Sequence, residues 1–223
     1  MTDPHIVPAR TPAEIDTIID VLDREARTEI DQVFGRADAS CMTCTRAILD
    51  ALAAFAVPAR PLTVWATVTN AVYEHLLNPA DGRSVQELGL PRVWRDAGAL
   101  RIDIGHPHDR AEVGGEGWPG HLVALVDERV GLDIAITMAN APSAGIVLTS
   151  VIIPVSPDWL AGALELAGDV GTGTVRYRAR PDITTYTTPR QLPSDNFRLA
   201  SMVGHVSACP IQSISSRIRQ HTC

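Results

Sequence analysis

Apolar residues recur every three or four positions near the start of the chain and tend to alternate further on. Ile15, Ile18, Ile19, Leu22, Ala26 and Ile30 mark one stripe of an amphipathic helix predicted over residues 12–34. Its start is signalled by Thr11-Pro12-Ala13-Glu14, a capping box with proline at the first helical position. After a loop from Gly35 to Ala39, Ser40 reads as the N-cap of a second helix that begins at Cys41. Ile48, Leu49, Leu52, Ala53 and Phe55 are its expected core face, and the two helices form a hairpin.

Residues 62–69 are rich in β-branched and aromatic side chains and read as the first strand, followed by a short helical turn over 71–77. From Asn78 to Gly117 the chain is rich in Gly, Pro and Asp, with one strand at 99–104 that ends at Gly105. Two strands, 121–126 and 130–136, flank a polar tip of Asp127, Glu128 and Arg129. A three-residue tip puts odd-numbered residues of both strands on one face, so His121 and Asp133 point the same way, opposite or diagonal to each other. Further strands are expected at 145–155 and 175–177, separated by a helix over 157–166 with Ser156 as cap and Pro157 as first residue. The tail carries Pro189, Pro193 and Pro210 and one short helix near 197–203. The pattern as a whole describes an α+β protein, with a helix pair packed on a mostly antiparallel sheet.

Composition narrows the classes. The 223 residues suit one well-buried domain, and a hydrophobic content of 45% with 20% charged residues describes a packed chain rather than a disordered one. A net charge of −7 and the lack of any basic run argue against nucleic acid as a partner. No residue is lysine, so a lysine Schiff base and a phosphate-loop lysine are excluded. The amino-terminal residues lack the basic and apolar regions of an export signal, and no apolar window is long enough for a membrane span. A cytoplasmic location is expected, with Cys41, Cys44, Cys209 and Cys223 as free thiols.

The candidate chemistry centres on Cys41. A thiol at the first position of a helix lies at the positive end of the dipole, which favours the thiolate and makes a nucleophile. Such a nucleophile needs a base, and His121 is the candidate; the base needs an acceptor to orient it, and Asp133 can supply that. Each of the three, taken singly, has an ordinary structural role open to it, and the case rests on their combination. Acyl transfer also needs an oxyanion hole, for which the Cys41 backbone N–H is one donor. Trp65, Asn70 and Trp118 are the candidates for the second donor or for pocket walls, and the sequence does not choose among them. Cys44, one turn after Cys41, is a possible resolving thiol. Neither the cysteine spacing nor His106-Pro107-His108 describes a metal site, and the Gly-rich segments 114–117 and 171–173 read as turns.

The segment from Cys41 to Arg60 resembles the nucleophile segment of the transglutaminase-like branch of the papain-like cysteine enzymes. In that family a Cys opens a helix that ends in a Gly-Ile-Pro-Ala-Arg-like turn, and here the turn is Ala56-Val57-Pro58-Ala59-Arg60. The family continues with a His on one strand and an Asp on the next, matched by Gly120-His121-Leu122-Val123 and Gly131-Leu132-Asp133-Ile134. Ala39-Ser40 replaces the usual glycine before the nucleophile, and Ile134-Ala135 replaces the Pro-Thr after the aspartate. The resemblance covers residues 38–140. It implies a single papain-like domain over 1–223, with 1–37 as an N-terminal helix, 38–140 as catalytic core and 141–223 as sheet completion and tail. It further implies acyl transfer through Cys41, His121 and Asp133 on a peptide, amide or thioester substrate, with no cofactor. Hydrolysis is expected ahead of amide-forming acyl transfer. A binding module that has lost the reaction and a thiol redox protein built on Cys41 and Cys44 are the other readings, and the oligomeric state is open.

Overall fold

The computed structural model describes residues 10–34, 41–77, 92–105 and 120–184, with the backbone alone for 29–34. Helix α1 runs from Pro12 to Phe34 and α2 from Cys41 to Ala54. The capping box of α1 closes as predicted, with the Thr11 N–H donating to Glu14 Oε2 at 2.8 Å and the Glu14 N–H to Thr11 Oγ1 at 3.4 Å. Ile15, Ile18, Ile19, Leu22 and Ala26 are all buried. The core face of α2 is Cys44, Ala47, Ile48, Ala51, Leu52 and Phe55, turned by about a residue from the expected stripe, with Ala53 exposed. Small Ala47 and Ala51 on that face let the helix lie close to the sheet.

Strand β1, Ala59–Thr69, is the spine of a seven-stranded sheet in which every pairing is antiparallel. The others are β2 (Arg101–Ile104), β3 (His121–Val126), β4 (Val130–Asp133), β5 (Val151–Pro154), β6 (Glu165–Val170) and β7 (Gly173–Ala179). The order is β5-β4-β3-β1-β7-β6. Residues 59–64 of β1 pair with β3 and 66–69 with β2, while 64–69 also pair with β7. Strands β2 and β3 therefore lie end to end along one edge of β1. Helix α1 and α2 cover one face through Ala124, Val126 and Leu132. The second core contains Leu62, Val64, Ala66, Val123, Leu125, Val175, Tyr177 and Trp159.

Several predicted boundaries are corrected. Strand β1 starts at Ala59 rather than at residue 62, because it continues in register with β3 as far as Val126. Strand β4 stops at Asp133 rather than 136, since the Asp133 carboxylate takes the N–H groups of Ala135 and Ile136 and turns the chain into a 3₁₀ helix, Ala135–Ala139. The strand expected over 145–155 shrinks to β5. Ahead of it Gly145 has φ of 77°, and Thr172 Oγ1 donates to Gly145 O and accepts from Val147 N–H, so a side chain replaces the ladder. The helix expected over 157–166 is a single turn, α5, Pro157–Leu160, capped by Ser156. Gly162, with φ of 73°, ends it, and the chain enters β6 at Glu165. Short helices α3, Ala71–Leu76, and α4, Arg92–Asp96, complete the described elements. The helix expected near 197–203 lies outside the described residues. No helix among the described residues is long and apolar enough to cross a membrane.

Candidate functional site

His121 opens β3 and Asp133 closes β4, and the turn between them has the three-residue length that the pattern requires. Val126 pairs with Val130 and Ala124 with Leu132, so one further step sets Asp133 across from Val123 and diagonal to His121. The His121 Nε2–H donates to Asp133 Oδ2 at 2.7 Å. Both side chains are buried, at 2% and 0% exposure. Asp133 is held by four donors: His121 Nε2–H and the Tyr177 hydroxyl on Oδ2, and the N–H groups of Ala135 and Ile136 on Oδ1. That pattern is the one a carboxylate fills as acceptor only. The same backbone bonds that end β4 therefore aim the carboxylate at His121.

Backbone packing fixes His121 as well. Gly105, which ends β2 with φ of 76°, lies so close that a Cβ there would be 2.5 Å from the His121 nitrogen and from the Gly120 carbonyl carbon. Only glycine permits that approach. Its neighbour Leu122 is tied to α2, because the Thr45 hydroxyl donates to the Leu122 carbonyl at 2.9 Å. That bond clamps the start of α2 against the start of β3.

Cys41 is the first residue of α2, partly buried and a free thiol. It interacts with His121 and with the Leu122 backbone N–H. Because Nε2 is engaged with Asp133, the nitrogen left for Cys41 is Nδ1, which is buried and closes no hydrogen bond of good geometry in the resting arrangement. The thiol and the imidazole are coupled electrostatically. The sense of that coupling is clear. Burial pushes the Cys41 thiol up, but the adjoining His121 and its charge, with the Leu122 N–H, outweigh it and the thiol is lowered below its ordinary value. Burial pushes His121 down, yet the Asp133 charge and hydrogen bond, with Cys41, raise it from 6.5 to about 10. Both shifts favour a thiolate beside an imidazolium. Burial and the Asp133 charge raise Tyr177 well above 10, so its hydroxyl stays a donor.

The remaining candidates separate. Asn70 is committed to structure: Oδ1 accepts from Tyr73 N and Leu100 N, and Nδ2 donates to Gly98 O and Ala144 O, all within 3.0 Å. It caps α3 and has no donor left for an oxyanion, which corrects that expectation. Trp65 lies one residue beyond Val64, the partner of His121 on β1, and its ring carries the Arg180 guanidinium at 3.8 Å. Trp118, Cys209, Cys223, His106, His108 and Ser40 lie outside the described residues. Cys44 has no exposed surface and is packed in the core on which Cys41 rests; a thiol so placed is out of reach of solvent reagents. Among the described residues no group of His, Cys, Asp and Glu forms a metal site.

Tyr177 is the residue of the site that the sequence pattern did not single out. Its signal was the alternation of Val175, Tyr177 and Ala179 in a strand, which buries a phenol whose hydroxyl must find a partner. Comparison with protein-family models, with curated proteins and with solved structures finds no match to this chain.

Proposed function

We propose that the protein is a cysteine-dependent acyl-transfer enzyme of papain-like, transglutaminase-like architecture that hydrolyses an amide or thioester. The observation that carries this reading is the buried His121–Asp133 hydrogen bond at 2.7 Å, with the second imidazole nitrogen left for a half-buried thiol at a helix start. A histidine held so firmly by a buried carboxylate is an expensive arrangement for structure alone, because both groups must leave water. In catalysis it keeps the imidazole protonated and correctly turned.

The reaction runs in two halves. The Cys41 thiolate adds to the substrate carbonyl carbon, forming a C–S bond and placing the negative charge on oxygen. The Cys41 N–H is a donor available to that oxygen at the helix start. As the carbonyl reforms, the bond to the leaving group breaks and His121 Nδ1–H gives its proton to the departing amine or thiolate, which leaves the imidazole neutral. In the second half the neutral imidazole takes a proton from water, hydroxide oxygen adds to the thioester, and the Cys41 thiolate departs with an imidazolium again beside it. An amine in place of water gives an amide instead, by the same proton transfers.

The experiment is to trap the acyl-enzyme. The protein is mixed with a series of S-aryl thioesters and aryl amides, quenched in acid and mapped by mass spectrometry. An added acyl mass on Cys41, absent in Cys41→Ala and slowed in His121→Ala, is expected. A reactive Cys41 that takes up no acyl group from any member of the series contradicts the proposal.

A further inference from the structure

The hydroxyl of Tyr177 donates to Asp133 Oδ2 at 2.9 Å, the same oxygen that receives His121 Nε2–H at 2.7 Å. The ring arrives from across β1, on the same face of the sheet as His121. Tyr177 is paired with Ala66 and His121 with Val64, so β1 stands between them, and the small side chain of Ala66 is the one beside the ring's origin. Tyr177 has no exposed surface and its carbonyl accepts the Trp159 indole N–H at 3.2 Å, which fixes the segment that carries the ring. A phenylalanine would fill the same core. Burying a hydroxyl there is unfavourable unless it is bonded, and its partner is the acceptor that sets the proton affinity of His121.

We propose that Tyr177 is a positioning residue that tunes His121 through Asp133, by sharing the carboxylate oxygen on which the imidazole depends. The inference rests on the Cys41–His121 reading of the site. A donor on Oδ2 stabilises the carboxylate charge and weakens its pull on the imidazole proton. The groups that face this network come from every element packed on it: Cys41 and the Leu122 N–H at the thiol, Asp133 and Cys41 at His121, and His121, Tyr177 and the Ala135 and Ile136 N–H groups at Asp133. Removing the hydroxyl leaves the whole oxygen to His121 and makes it hold its proton more tightly. Strengthening the phenol as a donor does the reverse.

The test follows the His121 imidazole by NMR across alkaline pH in the full chain. The three forms compared are the wild type, Tyr177→Phe and the wild-type chain made with 3-fluorotyrosine, which retains the ring and the hydroxyl but donates more strongly. The expected result is a His121 midpoint that rises in Tyr177→Phe and falls with fluorotyrosine, each by about half a unit, since a hydrogen bond to a charged group shifts its titration. A purely structural phenol would not move the midpoint in opposite directions. Coincident midpoints in all three, with the wild-type value still raised, overturn the role of Tyr177 alone. A wild-type midpoint at the ordinary value near 6.5 overturns the Cys41–His121 reading as well. If Tyr177→Phe fails to fold, the fluorotyrosine protein decides the question by itself.

Discussion

Moving the Cys41 proton onto His121 changes where one proton sits without changing how many the folded site holds. In the unfolded chain an imidazole loses its proton near pH ~6.5 and a thiol near ~8.5. Between those values, once the lowered thiol of the folded state has given up its proton, the folded pair and the unfolded pair each hold one, so this site adds no slope to the pH dependence of stability. Above ~8.5 the unfolded pair holds none, while the folded imidazolium persists to about 10, so the folded state binds the extra proton and stability falls as pH rises. Cys41→Ala removes the compensating thiol but leaves His121 beside Asp133. Its alkaline decline is expected to start about two units lower than in the wild type, near pH ~6.5, in urea unfolding from pH ~6 to ~10. Identical profiles for the two proteins contradict a protonated His121.

At the scale of elements, the end of α2 carries strain in a place where the chain could do without it. The Val57 N–H reaches back to the Leu52 carbonyl at 3.0 Å and the Ala56 N–H to Ala53 at 3.0 Å, the pair of bonds that closes a Schellman cap. Ala56 sits at the left-handed position of that cap with φ of 56°, where a Cβ is disfavoured by about 1 kcal/mol. The resemblance places glycine there. Ala56→Gly is expected to raise stability by roughly 0.5–1 kcal/mol without altering thiol reactivity, as measured by denaturant midpoint. Unchanged or lowered stability means that the cap is not formed as described. Where elements start was legible from caps: Thr11 and Glu14, Ser156 and Pro157 all act as their types predict. Where elements end was harder. Gly162 and Asp133 stop theirs by a positive φ and by side-chain bonds to backbone N–H groups, and the helix expected over 157–166 ran into the first two residues of β6 because Leu164 and Leu166 fit either period.

Over the whole molecule, the site is assembled from α2, β3, β4 and β7, four elements spread over 139 positions from Cys41 to Ala179. The diagonal of His121 and Asp133 was legible because one short hairpin sets it, and the alternation of a strand fixes which side chains share a face. The order β5-β4-β3-β1-β7-β6 was not, because nothing in β7 says that its second partner, besides its neighbour β6, is β1. Tyr177 therefore reaches Asp133 across β1 and β3, which bring them together only in three dimensions. The loss of Asn70 as an oxyanion donor has the same origin, since Gly98, Leu100 and Ala144 meet its amide only once the chain is folded. Everything converges on one claim, that Cys41 is a thiolate held by His121. Its most direct test is the rate of iodoacetamide labelling at Cys41 against pH, located by mass spectrometry, in the wild type and in His121→Ala. The account predicts fast labelling of Cys41 well below pH ~8.5 in the wild type and a return towards that value in the variant. Cys41 that labels only above ~8.5, or labels alike with and without His121, contradicts it.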